Sequence, residues 1–260
     1  PPPHLHLLLP HTSSTTTGFS PIPQPLDQDS MSAPVGTLGS KLPDFTLDST
    51  VGKTSLYEAF GESWGILFSH PADFTPICTT ELGMAEEYLP EFTKRNTKIA
   101  GLSCNDAESH KKWLDDIAEY TKQKRGKAFK PSYPIFADTD RKVAHSLGMI
   151  NLEHVNAKGI PLPARKVFFV DPNKVIKCTL CYPASTGRNF DEIIRILNSI
   201  QLTANNKLAT PANWKVGTCG GSTVLAPSVQ GETAKAYNYK TVKLPSGKEY
   251  LRIVQEQKEK

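Results

Sequence analysis

The sequence has no long apolar run and few cysteines. None of its apolar stretches approaches the roughly 20 residues that a helix needs to cross a bilayer, so we expect no integral membrane association. Its 5 cysteines among 260 residues are an odd number and lack the close pairing of a disulfide framework. Free thiols in a reducing compartment, the cytoplasm, are therefore expected.

The sequence also lacks a strong charge of either sign. Its 30 Lys+Arg and 26 Asp+Glu leave a net charge of +4, which is too small to predict binding to nucleic acid or to a membrane surface. The basic run 122–127 has no interleaved aromatic side chains of the kind that stack on bases, so we interpret it as a solvated loop. We expect no nucleic-acid partner, no metal and no other cofactor.

Residues 1–30 contain no lysine or arginine and are rich in proline. Their one apolar patch, residues 7–9, is too short for the core of a signal peptide. We interpret residues 1–34 as a disordered leader or a non-native segment.

From residue 35 onward, short apolar runs alternate with stretches of helical periodicity. Strands are predicted at 64–69, 99–103, 135–137, 166–170 and 175–182, and the last two form a hairpin. Helices are predicted from 76, capped by Thr75 and ended or kinked at Pro90; over 106–120, opened by Asn105 in a capping box with Glu108; around 141–147; and over 189–202.

This alternation predicts an α/β fold, a thioredoxin-like three-layer sandwich with a central mixed sheet, over residues 35–204. Glycines and prolines beyond residue 205 indicate a small C-terminal domain of short strands and turns at 205–260.

Cys78 is the strongest candidate for a reactive residue. It falls in the first turn of the helix that starts at Pro76, where free backbone N–H groups and the positive end of the helix dipole stabilise a thiolate. The alternative is a small buried hydrophobe, because Cys78 shares an apolar stripe with Leu82 and Ala85. Position alone leaves both interpretations open.

Three other residues, two of them close to Cys78 in the sequence, favour peroxide chemistry. Pro71 is suited to excluding water above the sulfur, and Thr75 offers a hydroxyl that holds a peroxide oxygen in line for attack, although it also serves as a plain helix cap. Arg165, at the start of an apolar strand, is a natural donor to the charge that develops on the leaving oxygen. An ordinary surface salt bridge is the alternative for Arg165.

Residues 71–81, PADFTPICTTE, match the Pro-x-x-x-Thr/Ser-x-x-Cys signature of the peroxiredoxins. Further stretches resemble the 1-Cys, peroxiredoxin 6-like subfamily of the AhpC/TSA type, namely 66–71, 182–192, 201–203 and 209–214. The resemblance spans about residues 35–254. It implies a homodimer with a C-terminal dimerisation extension and a thiol-dependent peroxidase that reduces hydrogen peroxide and organic hydroperoxides through a sulfenic acid.

The resemblance also implies roles for individual residues. Cys78 is the nucleophile, and Thr75, Arg165 and Pro71 complete its site. Arg188 matches a second arginine of the family, and His70 and Glu81 match positions that orient these groups; for those three residues a structural role is as reasonable as a catalytic one.

The remaining cysteines decide how the sulfenic acid is reduced. Cys104 and the pair Cys178 and Cys181, on a predicted strand, are interpreted as packing residues rather than a metal or redox motif. Cys219 lies in a glycine-rich loop and is a candidate resolving residue. The Val-Cys-Pro context of 2-Cys relatives is absent, which favours 1-Cys chemistry with an external thiol, glutathione or a thioredoxin-type protein, as reductant.

Two alternatives from other classes are weaker. A thiol-disulfide oxidoreductase of this fold would carry a second cysteine at position 81, which is Glu81. A non-enzymatic holdase or redox-signalling protein would not need Cys78 for its function.

Some members of the subfamily also hydrolyse phospholipids through a Gly-x-Ser-x-Gly element with a histidine and an aspartate. The string at 61–65 places Ser63 before a strand rather than after one, unlike a nucleophile elbow. The partner positions hold Tyr57 and Asn173, which supply neither a base nor a carboxylate. We predict little or no lipase activity.

Overall fold

The computed structural model describes residues 35–216 and 223–254. The predictions for residues 1–34 and for Cys219 fall outside the described residues. Among the latter, the strands are β1 (Thr46–Leu47), β2 (Thr54–Ser55), β3 (Trp64–Ser69), β4 (Thr97–Ser103), β5 (Ile135–Ala137), β6 (Ile150–Val155), β7 (Pro161–Pro163), β8 (Arg165–Val170), β9 (Ile176–Tyr182), β10 (Leu208–Ala209), β11 (Val224–Leu225), β12 (Tyr239–Thr241) and β13 (Arg252–Val254). The helices are α1 (Leu56–Phe60), α2 (Pro76–Glu87), α3 (Leu89–Thr93), α4 (Ala107–Arg125), α5 (Lys142–Ser146), α6 (Phe190–Asn205) and α7 (Gly231–Lys235).

A five-stranded mixed sheet with the order β5-β4-β3-β8-β9 forms the centre of the fold. Strand β3 pairs in parallel with β4 and antiparallel with β8, and β8 and β9 form the predicted hairpin. All six residues of β3 are buried, because helices cover both faces of the sheet, and this explains its unbroken apolar run.

The core lies in two layers, one on each side of the sheet. On one face, side chains of α2, α4 and α6 pack together, including Leu82, Trp113 and Leu197. On the other face, α1 and α5 contribute Phe60 and Val143. The predicted three-layer sandwich with a central mixed sheet is confirmed.

Helix α4 differs from its prediction at both ends. Asp106, not Asn105, is the N-cap, and its carboxylate accepts from the backbone N–H of Ser109. The side chain of Asn105 instead accepts from the backbone N–H of Asp73. At the other end the helix continues to Arg125 and closes at Gly126 with φ +72°, so most of the basic run is the last helical turn and not a loop.

The C-terminal part has its own antiparallel sheet, in the order β10-β11-β13-β12, and its own small apolar cluster around Leu225, Val229 and Ala234. The boundary near residue 205 stays a prediction. In the part of the chain that the structure covers, no helix combines the length and the apolar character that crossing a membrane requires.

Candidate active site

Cys78 lies where the chain leaves strand β3 and enters helix α2. Pro76 occupies the first turn, where its missing N–H costs no hydrogen bond. Phe74, just before the helix, has a left-handed φ of +53°, which turns the chain sharply into α2. The Cys78 side chain has no solvent-exposed surface, and its sulfur is held near the helix N-terminus as the sequence predicts.

Arg165 is the immediate partner of the Cys78 sulfur. Its Nη1 lies 3.2 Å from Sγ and 2.6 Å from Oε2 of Glu81, and its other nitrogens donate to the carbonyl of Ala184. The side chain is 2% exposed, so the interpretation of a surface salt bridge is wrong. A guanidinium donor at this distance stabilises negative charge on sulfur.

Glu81 joins Arg165 to the second arginine, Arg188. Arg188 donates to the Glu81 carboxylate through its backbone N–H, Nε and Nη2 at 2.7, 3.0 and 2.7 Å. Burial opposes ionisation of Glu81, but the charge and hydrogen bonds of Arg188, together with Arg165, hold its pKa below the usual range. Two cations against one carboxylate leave one positive charge in excess beside the Cys78 sulfur.

Thr75 is the residue before α2, but its hydroxyl does not cap the helix. The Oγ1–H donates instead to the carbonyl of Ala72, at 2.9 Å. Thr75 is the N-cap residue that the sequence predicts, but its side chain makes no capping hydrogen bond. The Oγ1 lone pairs remain able to accept a hydrogen bond from a protic ligand.

A cavity of about 440 Å³ opens beside these residues. Its walls are mainly apolar and include Pro71, Thr75, Ile77, His154, Leu162 and Arg165. The sequence predicted Pro71, Thr75 and Arg165 for this pocket. It did not predict His154 and Leu162, which the hairpin β6–β7 brings in from elsewhere in the fold and which no local motif marks.

A second polar cluster lies next to the cysteine loop. Asp73 accepts from His70 Nε2 at 2.9 Å and pairs with His110 Nδ1 at 2.8 Å; all three side chains are buried. Burial lowers the pKa of His70. Burial also opposes ionisation of Asp73, but hydrogen bonds from His110 and His70 hold the pKa of Asp73 well below its usual range. His70 was predicted at the site, but Asp73 and His110 were not.

The atoms of this His70–Asp73–His110 cluster lie within 4.8 Å of one another, the one grouping among residues 35–216 and 223–254 with metal-like spacing. Their hydrogen bonds to each other already satisfy the Asp73 carboxylate, so we assign them no cation.

The other cysteines that the structure describes sit in different surroundings. Burial raises the pKa of Cys104 to about 11 and also raises that of Cys178, as expected for packing residues. Cys181, however, is exposed, because strand β9 lies at the edge of the sheet, and its interpretation as a packing residue is wrong.

The Gly-x-Ser-x-Gly string does not have the strand-to-helix geometry of a nucleophile elbow. Ser63 precedes β3, and its hydroxyl donates to Asn96 Oδ1 at 3.0 Å. The Tyr57 hydroxyl donates to the carbonyl of Leu42, and Asn173 lies in the turn between β8 and β9. No hydrogen bond connects these three residues in the described part of the chain.

A thioredoxin-like sheet, a cysteine in the first turn of a helix, an arginine on its sulfur and a small cavity together define a thiol peroxidase. Comparison with known proteins gives the family. The model of the AhpC/TSA family matches residues 38–179. Peroxiredoxin-6 of Gallus gallus is 47% identical over 218 residues, covering 83% of this chain and 95% of its own. The 1-Cys peroxiredoxin of Onchocerca volvulus is 47% identical over 232 residues, covering 86% and 98%.

Comparison with solved structures indicates the same family. A cysteine-to-serine mutant of peroxiredoxin 6 of Arenicola marina matches with a TM-score of 0.79 at 43% identity, over 86% of this chain and 99% of its own. A yeast mitochondrial 1-Cys peroxiredoxin, whose thiol is resolved via glutathione/thioredoxin systems, matches with a TM-score of 0.72 at 39% identity, over 84% and 98%. The chain belongs to the AhpC/TSA family, within its 1-Cys, peroxiredoxin-6 group, and it is a thiol peroxidase.

Proposed function

We propose that Cys78 is the residue that this peroxidase oxidises, and the 3.2 Å contact between Arg165 Nη1 and its sulfur is the observation that carries the proposal. The thiolate attacks one peroxide oxygen, an S–O bond forms and the O–O bond breaks. Cys78 is oxidised to sulfenic acid, and the other oxygen leaves as hydroxide or alkoxide and takes up a proton to give water or an alcohol.

The neighbouring residues divide the remaining work. Arg165 stabilises charge on both the attacking sulfur and the leaving oxygen, and Glu81 fixes the position of Arg165 through a 2.6 Å bond. Thr75 accepts a hydrogen bond from the bound peroxide. Pro71 provides an apolar wall that keeps water away from the sulfur. Arg188 holds Glu81 and so acts at one remove from the reaction.

An external thiol returns Cys78 to its reduced state in this proposal. The thiol attacks the sulfenic acid, releases water and forms a mixed disulfide, which a second thiol reduces. The yeast relative, resolved via glutathione/thioredoxin systems, supports glutathione or a thioredoxin-type protein as reductant. The apolar walls of the cavity suit organic hydroperoxides as well as hydrogen peroxide. A homodimer and a cytoplasmic location, the latter from the cysteine content, are part of the proposal.

Stopped-flow oxidation by hydrogen peroxide tests the nucleophile. Cys78→Ser should lose rapid peroxide consumption, and Cys181→Ser, which removes an exposed thiol outside the site, should keep it. Unchanged consumption in Cys78→Ser would refute the proposal. Slow consumption by the wild type, with a function that survives in Cys78→Ser, would favour the holdase or signalling alternative instead. Cys219→Ser tests the 2-Cys alternative: a Cys78–Cys219 disulfide on a non-reducing gel after one equivalent of peroxide would refute the 1-Cys mechanism.

A further inference from the structure

Helix α4 holds the segment that carries the catalytic cysteine through one face of its first two turns. Ser109 Oγ donates to Asp73 Oδ2 at 2.7 Å, and His110 Nδ1 pairs with the same oxygen. Asn105, just before the helix, accepts from the backbone N–H of Asp73. Further along, the ring of Trp113 lies 5.2 Å from that of His70, and its Nε1–H donates to Thr79 Oγ1.

The hydrogen bonds fix which atoms of the His70–Asp73–His110 cluster carry protons. The Asp73 carboxylate only accepts, so His70 Nε2 donates to Oδ1 and His110 Nδ1 donates to Oδ2. The other ring nitrogen of His110, Nε2, lies 3.3 Å from the carbonyl of Phe136. His70 Nδ1 is buried and has no hydrogen-bond partner among the described residues, and the burial that lowers the pKa of His70 keeps it unprotonated.

Asp73 thus receives three donors on two oxygens, and an uncharged isostere cannot replace it. In Asp73→Asn, an NH₂ group would face either His70 Nε2–H or the Ser109 and His110 donors. In the first case the His70 proton would move to Nδ1, where it would be a buried donor without an acceptor, which is costly.

The location of the cluster connects it with peroxide binding. His70 directly precedes Pro71, and Asp73 stands two residues before Thr75, so the three donors to Asp73 fix the short loop from which both cavity-lining residues project. Cys78 itself is held separately, by Arg165 and by the packing of α2. A disturbance of Asp73 therefore reaches the cavity wall before it reaches the sulfur.

We propose that Asp73 and His110 are positioning residues for the peroxide step. The hydrogen bonds from α4 to the Asp73 carboxylate hold Pro71 and Thr75 in the geometry that aligns peroxide with Cys78. The inference rests on the proposed role of Cys78. It distinguishes peroxide alignment, which needs the cavity wall, from the nucleophilicity of the sulfur, which does not.

The test compares two reactions of the same thiol. Oxidation of Cys78 by hydrogen peroxide requires the aligned wall, whereas alkylation by iodoacetamide at the same pH reports the nucleophilicity and accessibility of the sulfur. We expect Asp73→Asn to lower the peroxide rate constant about tenfold or more and to leave the alkylation rate within about twofold. His110→Gln, which keeps one donor to Asp73, should shift the same ratio in the same direction by less, and the exposed His145→Gln should leave both rates unchanged.

A spectroscopic measurement separates this role from general loss of stability. Long-range ¹H–¹⁵N correlation of the imidazoles should show His70 protonated on Nε2 alone in the wild type and a changed proton distribution in Asp73→Asn. Equal loss of both reactions in Asp73→Asn, no loss of either, or a stoichiometric metal bound at these histidines would overturn the inference. If Cys78→Ser kept peroxide consumption, the proposed nucleophile would fail instead, which is a distinguishable result.

Discussion

Two motifs flank strand β3: Ser63 precedes its first residue, and Cys78 lies in the helix after its last. The Ser63 hydroxyl donates to the amide oxygen of Asn96, and within residues 35–216 and 223–254 no base or cation is bonded to it. The Cys78 sulfur meets a helix N-terminus and a buried guanidinium. At the carboxyl end of a parallel strand the chain turns into a helix whose free N–H groups face the site, and at the amino end it does not. A string of residues that fits a catalytic motif is therefore informative only at the end of the strand where those groups point.

The arrangement of charges that distinguishes the Cys78 end of β3 from the Ser63 end depends most strongly on Glu81. Glu81→Gln would remove the carboxylate that two buried guanidinium groups share, and we expect a loss of about 3–5 kcal/mol in the free energy of unfolding. Urea denaturation measures it. Glu91→Gln, which removes an exposed carboxylate that also pairs with basic side chains, should unfold like the wild type. Equal midpoints for the two variants would mean that the arginines do not need Glu81.

Arg165 is the group that the serine end of β3 lacks. Arg165→Met removes the donor to sulfur but leaves Glu81 paired with Arg188, so the fold should survive. We expect the rate constant for oxidation of Cys78 to fall about 10²–10³-fold. Arg195→Met, which breaks an ion pair on α6, is the matched control, and a fall of similar size in both variants would contradict a specific role.

Substitution of Thr75 tests whether the cavity wall forms a hydrogen bond with peroxide in addition to shaping the cavity. Thr75→Val keeps the volume of the side chain and removes the hydroxyl. Peroxide oxidation should slow about tenfold, whereas the exposed Thr80→Val should react like the wild type. An unchanged rate in Thr75→Val would reduce Thr75 to a packing residue.

The pH dependence of the free energy of unfolding also tests the role of the Glu81 carboxylate. Because the pKa of Glu81 is lowered in the folded state, its contribution to stability is fully present above the pKa of an unfolded glutamate and is lost as the pH falls through the folded value. Between about pH 5 and pH 3, the wild type should therefore lose more unfolding free energy than Glu81→Gln. Asp73, whose pKa is also lowered, adds loss in the same direction, so the variant should keep a smaller slope. Parallel curves would contradict the assignment.

At the other end of β3, substitution should have almost no effect. Ser63→Ala removes one half-exposed hydrogen bond, so peroxidase activity should be unchanged and stability should change by at most about 0.5 kcal/mol. Phospholipid hydrolysis should be absent from wild type and variant alike. Hydrolysis by the wild type that disappears in Ser63→Ala would refute our interpretation of the motif.

Local sequence patterns predicted the parts of the site that depend on neighbouring residues. The apolar run of β3, Pro76 and the position of Cys78 are all determined within about one helical turn, so periodicity and capping signals were sufficient. Arg165 was a candidate donor from its place at the start of an apolar strand, but no local pattern predicts its contact with Cys78, 87 residues away, and the family resemblance supplied that pairing.

The contact between Asp73 and His110 could not be predicted from the sequence. The two residues are 37 positions apart, and they meet because α4 packs against the loop after β3. Nothing in the local pattern around His110 distinguishes it from any histidine on an amphipathic helix. The misplaced cap of α4 has a related cause, since the side chain of Asn105 accepts from the backbone N–H of Asp73, outside the helix.

The complete burial of Cys78 bears on both halves of the proposed catalytic cycle. A sulfur with no surface exposed to water meets neither peroxide nor a thiol until the residues between it and the cavity move. The movement that a reactant requires grows with its size, so a bulky thiol needs a larger opening around the first turn of α2 than hydrogen peroxide does. In the proposed cycle, recovery would therefore depend more on the protein's own opening than oxidation does.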